Sequence, residues 1–151
     1  MRFFRASLAL PLLAALIAGT AGALDFRATG EAATVLYDAP SLKAKPVFVL
    51  GRDYPLEMVV SVEGWAKVRD ASGALAWVEK KVLVERRSVL VKTPQAEVFF
   101  APDASSTVVF RAEQNVLLEL LELPPPGSAW ARVRHRDGQW GFVRIQQLWG
   151  L

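Results

Sequence analysis

The chain has 151 residues, 18 Lys and Arg against 15 Asp and Glu, no cysteine and one histidine. The lack of cysteine excludes structural disulfides, thiolate metal sites and a lipid-modified cysteine, and a lone histidine leaves little for metal or nucleophilic chemistry. A serine in a Gly-x-Ser-x-Gly context and a phosphate-cradling glycine loop are also missing, so no catalytic residue, metal or cofactor is expected.

Taken in chain order, Arg2 and Arg5 form a positive start, Leu8 to Ile17 an apolar stretch, and Ala21-Gly22-Ala23 a small-residue cleavage site. Residues 1–23 therefore read as a cleaved signal peptide, with the mature chain beginning at Leu24. The alternative, a membrane anchor, needs ~20 apolar residues, about twice this run, and the run contains Pro11. No later stretch combines spanning length with absence of charge, so a mature chain without a membrane span is expected in the periplasm or secreted. Loss of Arg2 and Arg5 leaves that chain nearly neutral, without the overall field that would make nucleic acid a partner.

The mature chain is long enough for one ordinary domain or two small ones, and internal repetition decides between them. Trp65-Ala66-Lys67-Val68-Arg69 recurs as Trp130-Ala131-Arg132-Val133-Arg134, a shift of 65, and Gly73, Trp77, Val78 and Leu83 meet Gly138, Phe142, Val143 and Leu148 in the same register. Upstream, Ala33-Thr34-Val35-Leu36-Tyr37 matches Ala96-Glu97-Val98-Phe99-Phe100 at a shift of 63, and both copies continue into Ala-Pro (Ala39-Pro40, Ala101-Pro102). The loop Pro124-Pro125-Pro126-Gly127-Ser128 replaces a short turn near Glu63-Gly64, which makes it a bulky hairpin loop rather than a polyproline ligand.

Each copy reads as short runs of β-formers between turns: Leu56 to Val60, Trp65 to Asp70 and Leu75 to Val78, then Val116 to Leu123, Ala129 to Arg134 and Gln139 to Arg144. Asp137-Gly138 is a strong hairpin signal. Val116 to Leu121 has a helical composition, but its partner segment holds Pro55 and Val59-Val60, and three prolines follow Leu123, so a strand is expected. The expected fold is all-β: two tandem small β-barrels of about five short strands each, one over 24–86 and one over 87–151. The charged junction from Glu79-Lys80-Lys81 to Glu85-Arg86-Arg87 reads as solvated linker surface, with attraction to anionic glycan or lipid headgroups as the sharper alternative. The boundary near Glu85 to Ser88 is too short a stretch to let the barrels tumble independently.

The segments VLYDAP, GWAKVRDASGALAWVEKKVL, VFFAP and WARVRHRDGQWGFVRIQQL resemble the bacterial SH3 (SH3b-like) domains of exported proteins, particularly tandem copies with no enzyme attached. The resemblance covers nearly all of the mature chain, and Ala76 stands where the family usually has glycine. It implies SH3-like barrels, with a one-turn 3₁₀ helix over Glu79 to Leu83 and Arg144 to Leu148, and a role in cell-wall targeting.

Strand alternation puts Ala66 and Val68 on one face and Trp65, Lys67 and Arg69 on the other, and splits Ala131 and Val133 from Trp130, Arg132 and Arg134 likewise. With the small side inward, a tryptophan flanked by cations lies on the outer rim of each copy. The candidate groove is Tyr37, Trp65, Lys67, Arg69 and Trp77 in the first copy and Phe100, Trp130, Arg132, Arg134 and Phe142 in the second, suited to extended peptides. Packing of the tryptophans within or between barrels is the commoner use of such residues. Trp140 and Trp149 lack aromatic equivalents in the first copy and are assigned to packing between the barrels, and His135 to the polar surface. The expected partner is a cell-wall peptide or an extended envelope-protein segment. The alternative is a structural or protein-interaction subunit of an envelope complex.

Overall fold

The computed structural model describes residues 24–151, so the signal-peptide reading of residues 1–23 lies outside the described residues. The first copy runs β1 (Phe26–Thr29), β2 (Thr34–Tyr37), β3 (Pro46–Leu50), β4 (Pro55–Val62), β5 (Trp65–Arg69) and β6 (Leu75–Glu79), then a 3₁₀ turn at Lys80–Val82 and β7 (Leu83–Val84). The second repeats it as β8 (Ser88–Val91), β9 (Gln95–Phe99), β10 (Val108–Glu113), β11 (Leu117–Leu120), β12 (Trp130–Arg134), β13 (Trp140–Arg144), a 3₁₀ turn at Ile145–Gln147 and β14 (Leu148–Trp149). Each copy is one antiparallel sheet in equivalent order, β3-β2-β6-β5-β4-β1-β7 and β10-β9-β13-β12-β11-β8-β14.

Seven strands per sheet replace the expected five. The additions are the four-residue opening strand and the two-residue strand after the 3₁₀ turn, which pair with each other and are too short to show a two-residue period in sequence. The segment with helical composition is strand β11, paired through Leu118↔Val89 and Glu119↔Ser88. Each sheet wraps its own core: Leu36, Leu56, Ala66, Val68, Ala76 and Val78 in the first, and chiefly Val89, Val91, Val98, Leu118, Val133 and Val143 in the second. Burying each aliphatic side chain contributes about 1.5–3 kcal/mol.

Pairing corrects the register of the repeat. From the first strand through Glu57 the shift is a constant 62: Thr34↔Leu50 corresponds to Ala96↔Ala112, and Glu57↔Phe26 to Glu119↔Ser88. Asp53 and Asn115, also 62 apart, are the two non-glycine residues with positive φ among the described residues, at 61° and 68°. The shift becomes 65 only after β11, whose ladder with β12 stops early and gives way to the proline loop. Tyr37 therefore corresponds to Phe99, not Phe100. A slip of one residue exchanges the two faces of a strand, and here it exchanges a residue packed on the sheet for an exposed one.

Three residues, Glu85 to Arg87, separate the sheets, which are packed against each other. Trp149 meets Phe26 edge to face, with ring centroids 5.2 Å apart, as the assignment of Trp149 to packing between barrels anticipated. The Arg87 guanidinium lies 5.7 Å from the other side of the interface at Phe26 and donates to the Gly150 carbonyl at 2.9 Å. Burial lowers the pKa of Arg87, against an opposing pull from Asp25. Ser88 Oγ donates to the Asp53 carbonyl at 2.5 Å, and a Cβ on Gly150 would come within 3.0 Å of Pro55 Cβ, so the chains approach at backbone distance.

Arg86 closes the junction by donating to the carboxylates of Asp53 and Glu31. Burial would raise the pKa of Asp53, but hydrogen bonds from Arg52 and Arg86 outweigh it and leave the pKa lowered. A depressed carboxylate stabilises the fold above its unfolded pKa, about 4, and the contribution is lost as pH falls through the folded value. Acid titration of stability is expected to show a loss below pH about 4 that is smaller in Asp53→Asn; equal acid sensitivity in both proteins would remove Asp53 from the junction's stability.

Candidate functional site

The alternation expected of β5 and β12 is present: Ala66, Val68, Ala131 and Val133 are fully buried, and Trp65, Lys67, Arg69, Trp130 and Arg132 are half-buried on the opposite face. Arg134 on that face is exposed. Each tryptophan packs on an aromatic ring of its own sheet. Tyr37 meets Trp65 at 5.7 Å and 82°, and Phe99 meets Trp130 at 5.6 Å and 87°.

In the first copy the sheet sets Tyr37, Trp77 and Lys67 in a row across β2, β6 and β5, with Lys67 Nζ 6.0 Å from the Trp77 ring. Arg69 is committed elsewhere: its Nη1 donates at 2.7 Å to the nearly buried carboxylate of Glu57. Glu79, directly across from Trp65, is paired with Lys81 at 2.9 Å. Among the described residues, the first face thus offers a single cation not held by a carboxylate, Lys67, and an acid beside its tryptophan.

The second copy builds the same row from Phe99, Phe142 and Arg132, and Arg134 likewise is held by a carboxylate, its Nη2 and Nε both donating to Glu119 Oε2 at 2.7 and 2.9 Å. Two substitutions change its character. Arg144 stands where the first copy has Glu79, and its guanidinium covers the Trp130 ring at 4.6 Å. Trp140 stands where the first copy has Leu75, and Arg132 covers it at 4.5 Å. Trp140 is 40% exposed and lies 6.4 Å from both Phe142 and Phe100, so its assignment to the space between the barrels is corrected. It shares strand parity with Phe142 and therefore their outward face. Phe100, 65% exposed, flanks this face rather than occupying the Tyr37 position, and a shallow hollow lies between Phe100, Val109, Asp137 and Trp140.

The second face is consequently two guanidiniums lying over two indole rings, with Phe99, Phe142 and Phe100 around them. A guanidinium held over an aromatic face can still donate N–H groups to carboxylates; Arg132 Nε itself is buried and has no hydrogen-bond partner among the described residues. Sequence reasoning missed Arg144, Phe99 and Trp140. The Ala-Pro pairs at 39–40 and 101–102, which are themselves 62 apart, carried the signal for Phe99. His135 is half-buried, with Nδ1 3.0 Å from Asp137 and its ring 5.9 Å from Phe110. Among the described residues no cluster of three or more His, Asp or Glu side chains is placed to hold a metal, and no helix is long and apolar enough to cross a membrane.

Two small antiparallel sheets of identical order, each with a 3₁₀ turn before its last strand, define tandem SH3-like units. The bacterial SH3 domain profile matches residues 30–85 and again 92–150, and the chain belongs to that family. No curated protein matches the sequence. Similar solved structures include NlpC2 from Trichomonas vaginalis, with 18% identity, TM-score 0.38, and coverage of 85% of this chain and 49% of that one. NlpC1 from the same organism matches at 18% identity, TM-score 0.38, over 83% and 45% of the two chains. A NlpC/P60 family protein from Bacillus cereus ATCC 10987 matches at 16% identity, TM-score 0.38, over 83% and 56%. The chain thus spans about half the length of these proteins.

Proposed function

We propose that the protein is a non-catalytic cell-envelope binding module that holds extended, carboxylate-bearing peptides, such as the stem peptides of peptidoglycan, on the outer aromatic faces of its two barrels. The supporting observation is the pair of guanidiniums lying over indole rings, Arg132 on Trp140 and Arg144 on Trp130, presented outward by β12 and β13. Aromatic planes bind an extended peptide's apolar parts with little loss of side-chain freedom, and immobilised guanidiniums pair with carboxylates bidentately. The second copy is the stronger site on this reading, because the first has Glu79 and Leu75 at the corresponding positions. Membership of the bacterial SH3 family agrees with a binding role at the wall.

The test is cosedimentation of the mature protein with purified sacculi. Truncating a central aromatic or arginine anchor costs about 2 kcal/mol or more, so Trp130→Ala/Arg132→Ala is expected to bind roughly 30-fold more weakly, by the relation of 1.4 kcal/mol per tenfold. Trp65→Ala is expected to have a smaller effect. Equal recovery of wild type and the double variant in the pellet would refute the site.

A further inference from the structure

The corrected register allows the two outermost strands, β3 and β10, to be compared residue by residue. Each is an edge, bonded on one side only. On the outer face of the second copy, Arg111 of β10 sits opposite Glu97 of β9 and bonds to it at 3.0 and 2.9 Å. The equivalent pair in the first copy is Val49 opposite Val35. An edge strand leaves a row of unpaired N–H and C=O groups, and proteins commonly guard such a row with charge. The second copy is guarded in this way; the first has Pro46 and a register shift at the start of its edge strand but no charge from Val47 to Leu50.

What β3 exposes is suited to a strand. Val47, Phe48 and Val49 are 39, 42 and 66% exposed, so aliphatic and aromatic surface stands on both faces of the bare edge. Main-chain groups in a row are matched only by another polypeptide backbone, and side chains on alternate sides supply the selectivity of strand addition. Charge indicates the kind of segment. Lys43 and Lys45, exposed just before β3, form no ion pair among the described residues, whereas Arg52 beyond its other end is paired with Glu31 and Asp53. A second copy of this chain fits poorly: antiparallel pairing about Phe48 brings Lys45 of one copy beside Gly51-Arg52 of the other, cation near cation.

We infer that β3 is a docking edge for an extended segment of a partner protein, added as an eighth strand, with alternating apolar residues and an acidic end lying against Lys43 and Lys45. This site is separate from the aromatic faces and does not depend on the function proposed for them.

The test uses the mature chain, isotope-labelled, titrated with a synthetic peptide that alternates valine and threonine and ends in a run of aspartates. Amide shifts and slowed exchange are expected at Val47 to Leu50, with at least tenfold weaker binding by the same peptide ending in lysines. Val35→Glu/Val49→Arg, which installs the pair the second copy already carries, is expected to keep the thermal transition and lose the binding at least tenfold. Trp130→Ala/Arg132→Ala is expected to leave it unchanged, which separates this site from the aromatic one. Absence of perturbation at β3, equal binding of the two peptides, binding retained by the valine double variant, binding lost in Trp130→Ala/Arg132→Ala, or a wild-type dimer joined through β3 would each overturn the inference.

Discussion

Trp149→Ala is expected to lower stability by about 3 kcal/mol and to separate the unfolding of the two sheets. The indole fills the space between them and supplies the edge-to-face contact with Phe26, itself 1% exposed, so its removal opens a cavity in the interface. Truncation of large buried aromatics costs about 3–5 kcal/mol, and the lower end applies to a half-buried ring. Trp149→Phe is expected to cost much less. It keeps an aromatic edge for Phe26 and removes a buried indole N–H that has no hydrogen-bond partner among the described residues, and such a donor carries a desolvation penalty of its own. Denaturant titration followed by near-ultraviolet circular dichroism checks both variants. A single transition with an unchanged midpoint for Trp149→Ala would mean that the sheets do not stabilise each other through this contact.

Gly141→Ala is expected to destabilise the second copy by about 2 kcal/mol, although the first copy carries alanine, Ala76, at the same place. A Cβ on Gly141 would overlap the carbonyl oxygen of Phe99 and come within 2.9 Å of Val98 Cγ1, so β9 lies too close to β13 for any side chain. Overpacking of this kind is relieved only by moving the strand, and the strand that must move carries Phe99, the ring against Trp130. Peptide binding by the second face should weaken together with stability. The converse change, Ala76→Gly, is expected to cost about 1 kcal/mol through chain entropy and a lost methyl. Thermal melts of the two variants provide the comparison, and equal stability of Gly141→Ala and wild type would show that β9 can give way without cost.

Much of the architecture was legible because Trp-Ala-x-Val-Arg is a strand with its buried face written as small and aliphatic residues, and it occurs twice. Family resemblance supplied the 3₁₀ turns, which lie at Lys80–Val82 and Ile145–Gln147. The register upstream was not legible from the aromatic residues, since Leu36-Tyr37 can be laid on either Val98-Phe99 or Phe99-Phe100 by similarity alone. The Ala-Pro pairs, 62 apart, favour the first of these, and cross-strand pairing decides it. Trp140 and Trp149 looked alike as unmatched tryptophans, but parity within β13 already placed Trp140 with Phe142. Partnering was the part hidden from sequence: nothing local states that Arg69 and Arg134 are held by Glu57 and Glu119, contacts that depend on which strand is the neighbour.

The exchange of Glu79 for Arg144 beside the paired tryptophans makes the two halves of this repeat opposite in sign at the same point on the same surface. On the proposed function a carboxylate meets a guanidinium at Arg144 but the Lys81-paired Glu79 at the equivalent point of the first copy, so the two faces would hold a peptide unequally and not as a symmetric clamp. Duplication here yields a heterogeneous pair, joined through Phe26 and Trp149, whose two faces differ in charge at matched positions.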